Sequence, residues 1–253
     1  MIFQIIVIVL IYLFNMVDKR IVKTIKELQS LGTLQLFFLA GGTNLAMRFN
    51  HRESEDIDLF CQERIGVKGF KLIEKEVKEF FKERVVFTKI SSEDNDDIVF
   101  LRAVILTDGL NIKVDIIQSH ILLYDIEIID TIRMASVKDI AVFKIATICN
   151  RKAIKDLFDL DFITDKGLPI DRIMNLYSEK KTKENMVTIF NYRKVNCPID
   201  NPEFLYGVIS PIGAKLPYHE NPNTVKGVEN RIILYAKSNW KIKVKSYIRT
   251  IRK

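Results

Sequence analysis

Two apolar runs, Ile98 to Leu106 and Asn111 to Ile117, flank Thr107-Asp108-Gly109, and this feature constrains the fold more than any other. Asp-Gly supplies the positive φ that a tight hairpin turn demands, so the spacing predicts an antiparallel strand pair. Val85 to Ile90 reads as a third strand. Before it, Phe70 to Lys82 carries Phe70, Ile73, Val77 and Phe80 or Phe81 at helical spacing, and Val17 to Leu31 does the same with Ile21, Ile25 and Leu28. Leu34 to Leu39 is a continuous apolar run ending in Gly41-Gly42, which predicts a buried strand entering a turn. Thr43 is expected to cap a short helix from Asn44 to Phe49, and Ile57 to Cys61 to form a further short strand.

Past Thr131 the periodicity becomes helical. Ser136 caps a run through Arg151, followed by helical runs Lys155 to Ile163, Leu168 to Glu179 and Lys183 to Tyr192. Asn196 to Thr224 is rich in Pro, Asn and Gly and reads as loop, and Val228 to Ile251 as a basic helix. The expected class is α/β (α+β): a mixed-sheet core over residues 17–130, then a mostly helical domain over 131–253 with a basic tail.

Composition narrows the class further. A chain of 253 residues with 48% apolar and 28% charged residues can bury a large core. The three cysteines, Cys61, Cys149 and Cys197, are far apart, which argues against a disulfide framework or a zinc site and for a reducing cytoplasm. The net charge of +7 is concentrated: residues 225–253 hold nine Lys or Arg against Glu229 alone. Such asymmetry points to an anionic partner, nucleic acid before membrane, although a solvated helix face would account for the same charges. Ile2 to Phe14 is almost wholly apolar but short of the ~20 residues a span needs. It lacks a basic n-region and a cleavage site, so Met16 is the expected true start and 1–16 a doubtful leader.

The chemistry lies in Arg52-Glu53-Ser54-Glu55-Asp56-Ile57-Asp58-Leu59-Phe60. Residues two apart in a strand share a face, so Asp56 and Asp58 set two carboxylates side by side. Carboxylates so crowded suit a cation, and Mg²⁺, which takes one or two carboxylates plus substrate phosphates, is the natural one. Alone, Asp-x-Asp is common in solvated loops. Asp115 strengthens it, because a carboxylate within Ile112-Lys113-Val114-Asp115-Ile116-Ile117 is costly to bury unless paired or bound to metal. The alternative is that Asp115 faces solvent beside Lys113. Gly41-Gly42 at a strand-to-helix turn allows close backbone approach to phosphate, though such a pair also makes a plain turn. Lys144, in the apolar helix Ile140 to Cys149, needs an anionic partner: a triphosphate, or a carboxylate such as Asp139.

Together these segments resemble the AbiEii-type nucleotidyltransferase toxins, a branch of the polymerase-β-like superfamily. The matching pieces run in the family's order: Leu39-Ala40-Gly41-Gly42-Thr43-Asn44-Leu45-Ala46, Arg52-x-Ser54-x-Asp56-Ile57-Asp58-Leu59-Phe60, Lys113-Val114-Asp115, Lys138-Asp139-Ile140-Ala141 with Lys144, and Arg151 with Lys155-Asp156-x-x-Asp159. The resemblance implies a polymerase-β-like core and metal ligands at Asp56, Asp58 and Asp115. It implies nucleotide contacts from Gly41, Gly42, Thr43, Arg52, Ser54 and Lys144, with Asp156 completing the catalytic set. It further implies Mg²⁺, a nucleoside triphosphate donor, tRNA or another RNA as acceptor, and an antitoxin from a neighbouring gene. Many relatives carry Gly-Ser where this chain has Gly41-Gly42, and the apolar leader has no counterpart. The competing readings are a small-molecule nucleotidyltransferase, a non-catalytic RNA-binding or regulatory protein on the same fold, and a membrane-associated protein.

Overall fold

The structure, a computed structural model, describes residues 16–151, 153–183, 196–207 and 224–252. The expected leader before Met16 and the expected helix from Lys183 to Tyr192, beyond its first residue, lie outside the described residues, as does most of the expected loop between 196 and 224.

Helix α1 (Lys19–Ser30) is capped by Asp18, whose carboxylate accepts from the Arg20 N–H, and it buries Ile21, Ile25 and Leu28 as their spacing predicts. The apolar run from Leu34 is not one strand. Gly32–Leu34 forms a 3-10 turn and only Phe38–Leu39 is extended, as β1. Four of its residues, Leu34, Phe37, Phe38 and Leu39, have 0% exposure, while Leu36 between them is 61% exposed. Then follow α2 (Gly41–Phe49), β2 (Ile57–Phe60), α3 (Gly66–Phe81), β3 (Val85–Ile90), β4 (Phe100–Thr107) and β5 (Leu110–Ile117). The expected hairpin is β4–β5, with Asp108 and Gly109 at φ 47° and 81° in its turn.

Two short strands went unpredicted. β6 (Glu127–Ile129) and β7 (Ile132–Met134) form an antiparallel pair that straddles the 130/131 position, and β7 runs parallel to β1. Their turn uses Asp130 and Thr131 at positive φ, without glycine, so it carries no Gly signal. The mixed sheet has the order β3-β4-β5-β2-β1-β7-β6, with β2 parallel to β5. Among the described residues four α-helices follow: α4 (Val137–Asn150), α5 (Ile154–Asp165), α6 (Ile170–Lys183) and α7 (Asn230–Ile251). Ser136 caps α4 as expected, accepting from Asp139 N–H.

Strand alternation then decides where a site can form. Ile57 and Leu59 of β2, Leu101, Ala103 and Ile105 of β4, and Ile112, Val114 and Ile116 of β5 share one face, in a core with α1 and α3. On the other face, Phe38, Phe60 and Ile117 pack against α4, α5, α6 and α7. That second face therefore also carries the alternate residues Asp58, Arg102, Lys113 and Asp115.

Candidate active site

Asp58 of β2 lies in register with Asp115 of its parallel neighbour β5, and Asp115 is in register with Arg102 of β4. Three charged residues thus sit in one row across three strands. Asp115 does share its face with Lys113, but that face is Asp58's and Asp115 is only 8% exposed, so the solvent-facing alternative fails. Arg102 grips Asp115 with two bonds, Nε to Oδ1 at 2.6 Å and Nη2 to Oδ2 at 2.9 Å. The Lys113 ammonium reaches Asp56 Oδ2 at 3.3 Å and Asp115 Oδ2 at 3.6 Å.

Asp58 is treated differently. No cation lies within ion-pair distance of it among the described residues, and burial together with the charges of Asp115 and Asp56 pushes its carboxyl up to about 6. Three carboxylates share two cations here. Among the described residues no group of three or more His, Cys, Asp or Glu converges closely enough to enclose a metal ion, and Lys113 occupies part of the space between Asp56 and Asp115.

The two glycines are required by what lies over them. Gly41, at φ 66°, would place a Cβ 2.0 Å from Asp58 Oδ2, and a Cβ on Gly42 would fall 2.1 Å from Arg52 Nη2. A plain turn would not need both. Helix α2 begins at Gly41 rather than Asn44, so Thr43 is not its cap: the Thr43 hydroxyl meets Ser54 Oγ at 2.9 Å and donates to the Asp56 carbonyl. This ties the 52–56 loop against α2 and fixes the approach to β2.

Beside it lies a second charged group, almost wholly buried. Arg52 donates to both oxygens of Asp159, at 2.6 and 2.9 Å, and His51 Nε2 lies 2.8 Å from Asp159 Oδ1. Lys144 sits between Asp156 (2.6 Å) and Asp159 (2.7 Å), and Arg151 holds Asp156 from the other side at 2.7 Å. The carboxylates Lys144 finds are therefore these two. Asp139 is engaged elsewhere, by Ser136 and by the Leu123 N–H. Burial alone would raise both aspartates. Lys144 and Arg151 outweigh it at Asp156, and Arg52 and Lys144 at Asp159, so both carboxyls lie well below the usual range.

The structure therefore brings Asp56, Asp58, Asp115, Gly41, Gly42, Thr43 and Ser54 to one place, and joins Arg52, Lys144 and Asp156 in the adjoining network. Sequence reasoning overlooked Arg102, His51 and the anchoring role of Asp159. For Arg102 a signal existed: a two-residue turn at Asp108-Gly109 sets it opposite Asp115.

The mixed sheet followed by a helical C-terminal half is a fold found in nucleotidyltransferases. A solved structure from H. pylori, assigned as a nucleotidyltransferase, shares it with a TM-score of 0.50 at 16% identity over 92% of this chain and 95% of that one. The model of the family described as "Nucleotidyl transferase AbiEii toxin, Type IV TA system" matches residues 29–216. The chain belongs to this family and is a nucleotidyltransferase, with a nucleoside triphosphate as substrate and an antitoxin as the partner such systems imply. MenT4, a nucleotidyltransferase toxin from Mycobacterium tuberculosis H37Rv, aligns with a TM-score of 0.45 at 12% identity, over 81% of this chain and 74% of that one. The uncharacterized protein aq_aa25 of Aquifex aeolicus (strain VF5) is 27% identical over 159 residues, 62% of this chain and 72% of that protein.

Proposed function

We propose that this toxin transfers a nucleoside monophosphate from a triphosphate to a hydroxyl of an RNA acceptor, most simply tRNA, with Mg²⁺ held by Asp56, Asp58 and Asp115. The observation that carries the reading is the register of Asp58 with Asp115 beneath Gly41. Three carboxylates are the hard oxygen donors Mg²⁺ takes, and like-charge crowding that lifts Asp58 toward 6 is what a divalent ion relieves, so the donor set fits. Bound there, the ion would neutralise phosphoryl oxygens and the leaving pyrophosphate. The fit asks Lys113 to yield its place between Asp56 and Asp115.

The chain's own residues do the rest. Gly41 and Gly42 bring the first N–H groups of α2 against the phosphates. Asp115, oriented by the Arg102 fork, shares the ion or receives the proton of the attacking hydroxyl. Ser54 and Thr43 hold the loop that presents Asp56. Lys144 and Asp156 complete the nucleotide side through the network: Arg52, Lys144 and Arg151 outnumber Asp156 and Asp159 by one positive charge, which offsets the triphosphate. The basic α7 favours RNA over a small acceptor. A cytoplasmic setting suits three free thiols, and among the described residues no helix is long and apolar enough to cross a membrane.

The test is incubation with total tRNA, Mg²⁺ and each labelled nucleoside triphosphate, beside Asp56→Ala and Asp58→Ala. Label on tRNA should fall at least ~10³-fold in either variant, since a metal site supplies several kcal/mol. Intact transfer in Asp58→Ala would remove the metal assignment. No label with any nucleotide would point to a small-molecule acceptor.

A further inference from the structure

We propose that the solvent side of α7 is a docking track for an RNA backbone that leads to the site. This rests on the RNA-acceptor reading above.

One side of α7 belongs to the fold. Ile233, Ala236, Trp240, Val244 and Ile248 are buried, and the Trp240 indole N–H donates to the Leu205 carbonyl at 2.7 Å. The cations that lean toward that side are paired: Lys243 with Asp161 and Asp165, each at 2.7 Å. At the ends, Arg231 pairs with Glu229 and Arg252 with Glu203.

Lys237, Lys241, Lys245 and Arg249 form no ion pair among the described residues. They recur every four residues, a row of cations about 6 Å apart that extends for about 18 Å. Like charges at i,i+4 destabilise a helix, so an unbroken row of them is unfavourable for folding and suits an extended anion. Ile242, 66% exposed, stands one turn before Lys245 beside the row, and Tyr235, 67% exposed, offers a flat ring of the kind bases stack on elsewhere on the solvent side of the helix. A bilayer fits less well, because the helix's apolar stripe is buried in the protein and its exposed apolar residues, Leu234, Tyr235 and Ile242 among them, are scattered around the solvent side rather than gathered on one face.

The track is also rooted at the site. The Glu53 N–H donates to the Lys226 carbonyl at 3.1 Å, and Lys226 pairs with Glu55. Gly227, at φ 72°, lies so close to Glu53 that a Cβ there would come within 2.8 Å of its side chain. The strap before α7 therefore packs on the very loop that delivers Asp56. A strand lying along the cation row has one end directed to that loop.

The experiment measures binding of labelled deacylated total tRNA to the full chain by anisotropy across a salt series. Four neutralised contacts should make log K against log salt shallower by about 3 and lower affinity about tenfold or more in K237Q/K241Q/K245Q/R249Q. A charge-matched variant on α3, K68Q/K71Q/K75Q/K78Q, should change neither by much, and K241Q/K245Q should give half the slope change should the fourfold variant fold poorly. Equal losses from both helices, or no loss from α7, would overturn the track. Polyglutamate displacing tRNA at equal charge concentration, or anionic vesicles binding by the same four residues in its place, would overturn the choice of RNA. Binding that depends on the cation row without nucleotide transfer would keep the track and remove the RNA-acceptor reading. Transfer to tRNA with KM unchanged in the fourfold variant would do the reverse.

Discussion

The carboxylate row on the sheet and the buried network beside it use the same residue types to opposite ends. In the network every carboxylate is overpaired: Asp159 alone meets Arg52, His51 and Lys144, and both its aspartates stay ionised far below the usual range. On the sheet, Asp56 and Asp115 hold Arg102 and Lys113 between them, and Asp58 pairs with neither. The first arrangement is complete without a ligand, whereas the second is short of positive charge. On the function proposed above, the difference separates a prebuilt network that fixes the nucleotide side from a carboxylate row whose charge is balanced only when an ion binds.

The largest effect that would break this comparison concerns Asp159. Removing one partner from a buried pair strands the remaining charge, so Asp159→Ala should cost roughly 3–5 kcal/mol in chemical denaturation by taking from Arg52 its buried carboxylate and leaving Lys144 with Asp156 alone. Combining it with Lys144→Met should restore part of the loss, because an apolar replacement leaves less charge stranded. A cost for Asp159→Ala no greater than that for Asp58→Ala would erase the distinction drawn here.

A smaller effect of opposite sign belongs to Asp58. Its folded carboxyl, near 6, lies above the ~3.9 of an unfolded chain, so the folded state holds its proton longer. Below about pH 4 both states are protonated and the residue is neutral in its effect. As pH rises from about 4 the unfolded state ionises while the folded state keeps its proton, so stability falls until about pH 6, above which both are ionised and the cost of the crowded carboxylate is complete. Asp58→Asn should therefore melt roughly 2–5 °C higher than the parent at pH 8 and no higher at pH 4. Millimolar Mg²⁺ should raise the parent's melting temperature at pH 8 and leave the variant's alone. A melting difference independent of pH would show that Asp58 is not strained by its neighbours.

What the sequence disclosed follows the same division. Asp56, Asp58 and Asp115 were legible because strand period places alternate residues on one face, and because a carboxylate among Ile112, Val114 and Ile116 is conspicuous. Arg102 was legible in principle through hairpin register, yet one exposed-looking arginine among apolar neighbours draws no attention. Arg52 and Asp159 could be matched to a pattern but not joined, and His51 belonged to none, since a loop at 51–52 and a helix at 154–165 meet only through tertiary packing. The need of Lys144 for an anion was plain from its apolar helix. Which carboxylate answers it was not, because Asp139 is nearer in sequence and is taken by Ser136. β6 and β7 were missed because three-residue strands carry almost no periodicity.

The finest test of the comparison is Lys113. Its ammonium lies 3.3 Å from Asp56 and 3.6 Å from Asp115, on the face where a divalent ion would be held. Either it helps assemble the carboxylates, or it competes with the ion for them. The geometry favours competition, because Arg102 already orients Asp115 through two shorter bonds and Asp56 is tethered by the loop contacts of Thr43 and Ser54. Two half-exposed ion pairs amount to about 1 kcal/mol, so Lys113→Met should tighten Mn²⁺ binding roughly fivefold in a spectroscopic titration without nucleotide. Arg102→Met should do the reverse and weaken it, since Asp115 then loses its orientation. If Lys113→Met also weakened binding, lysine and arginine would both be builders of the acidic row, and its shortage of charge would be smaller than the ion pairs alone indicate.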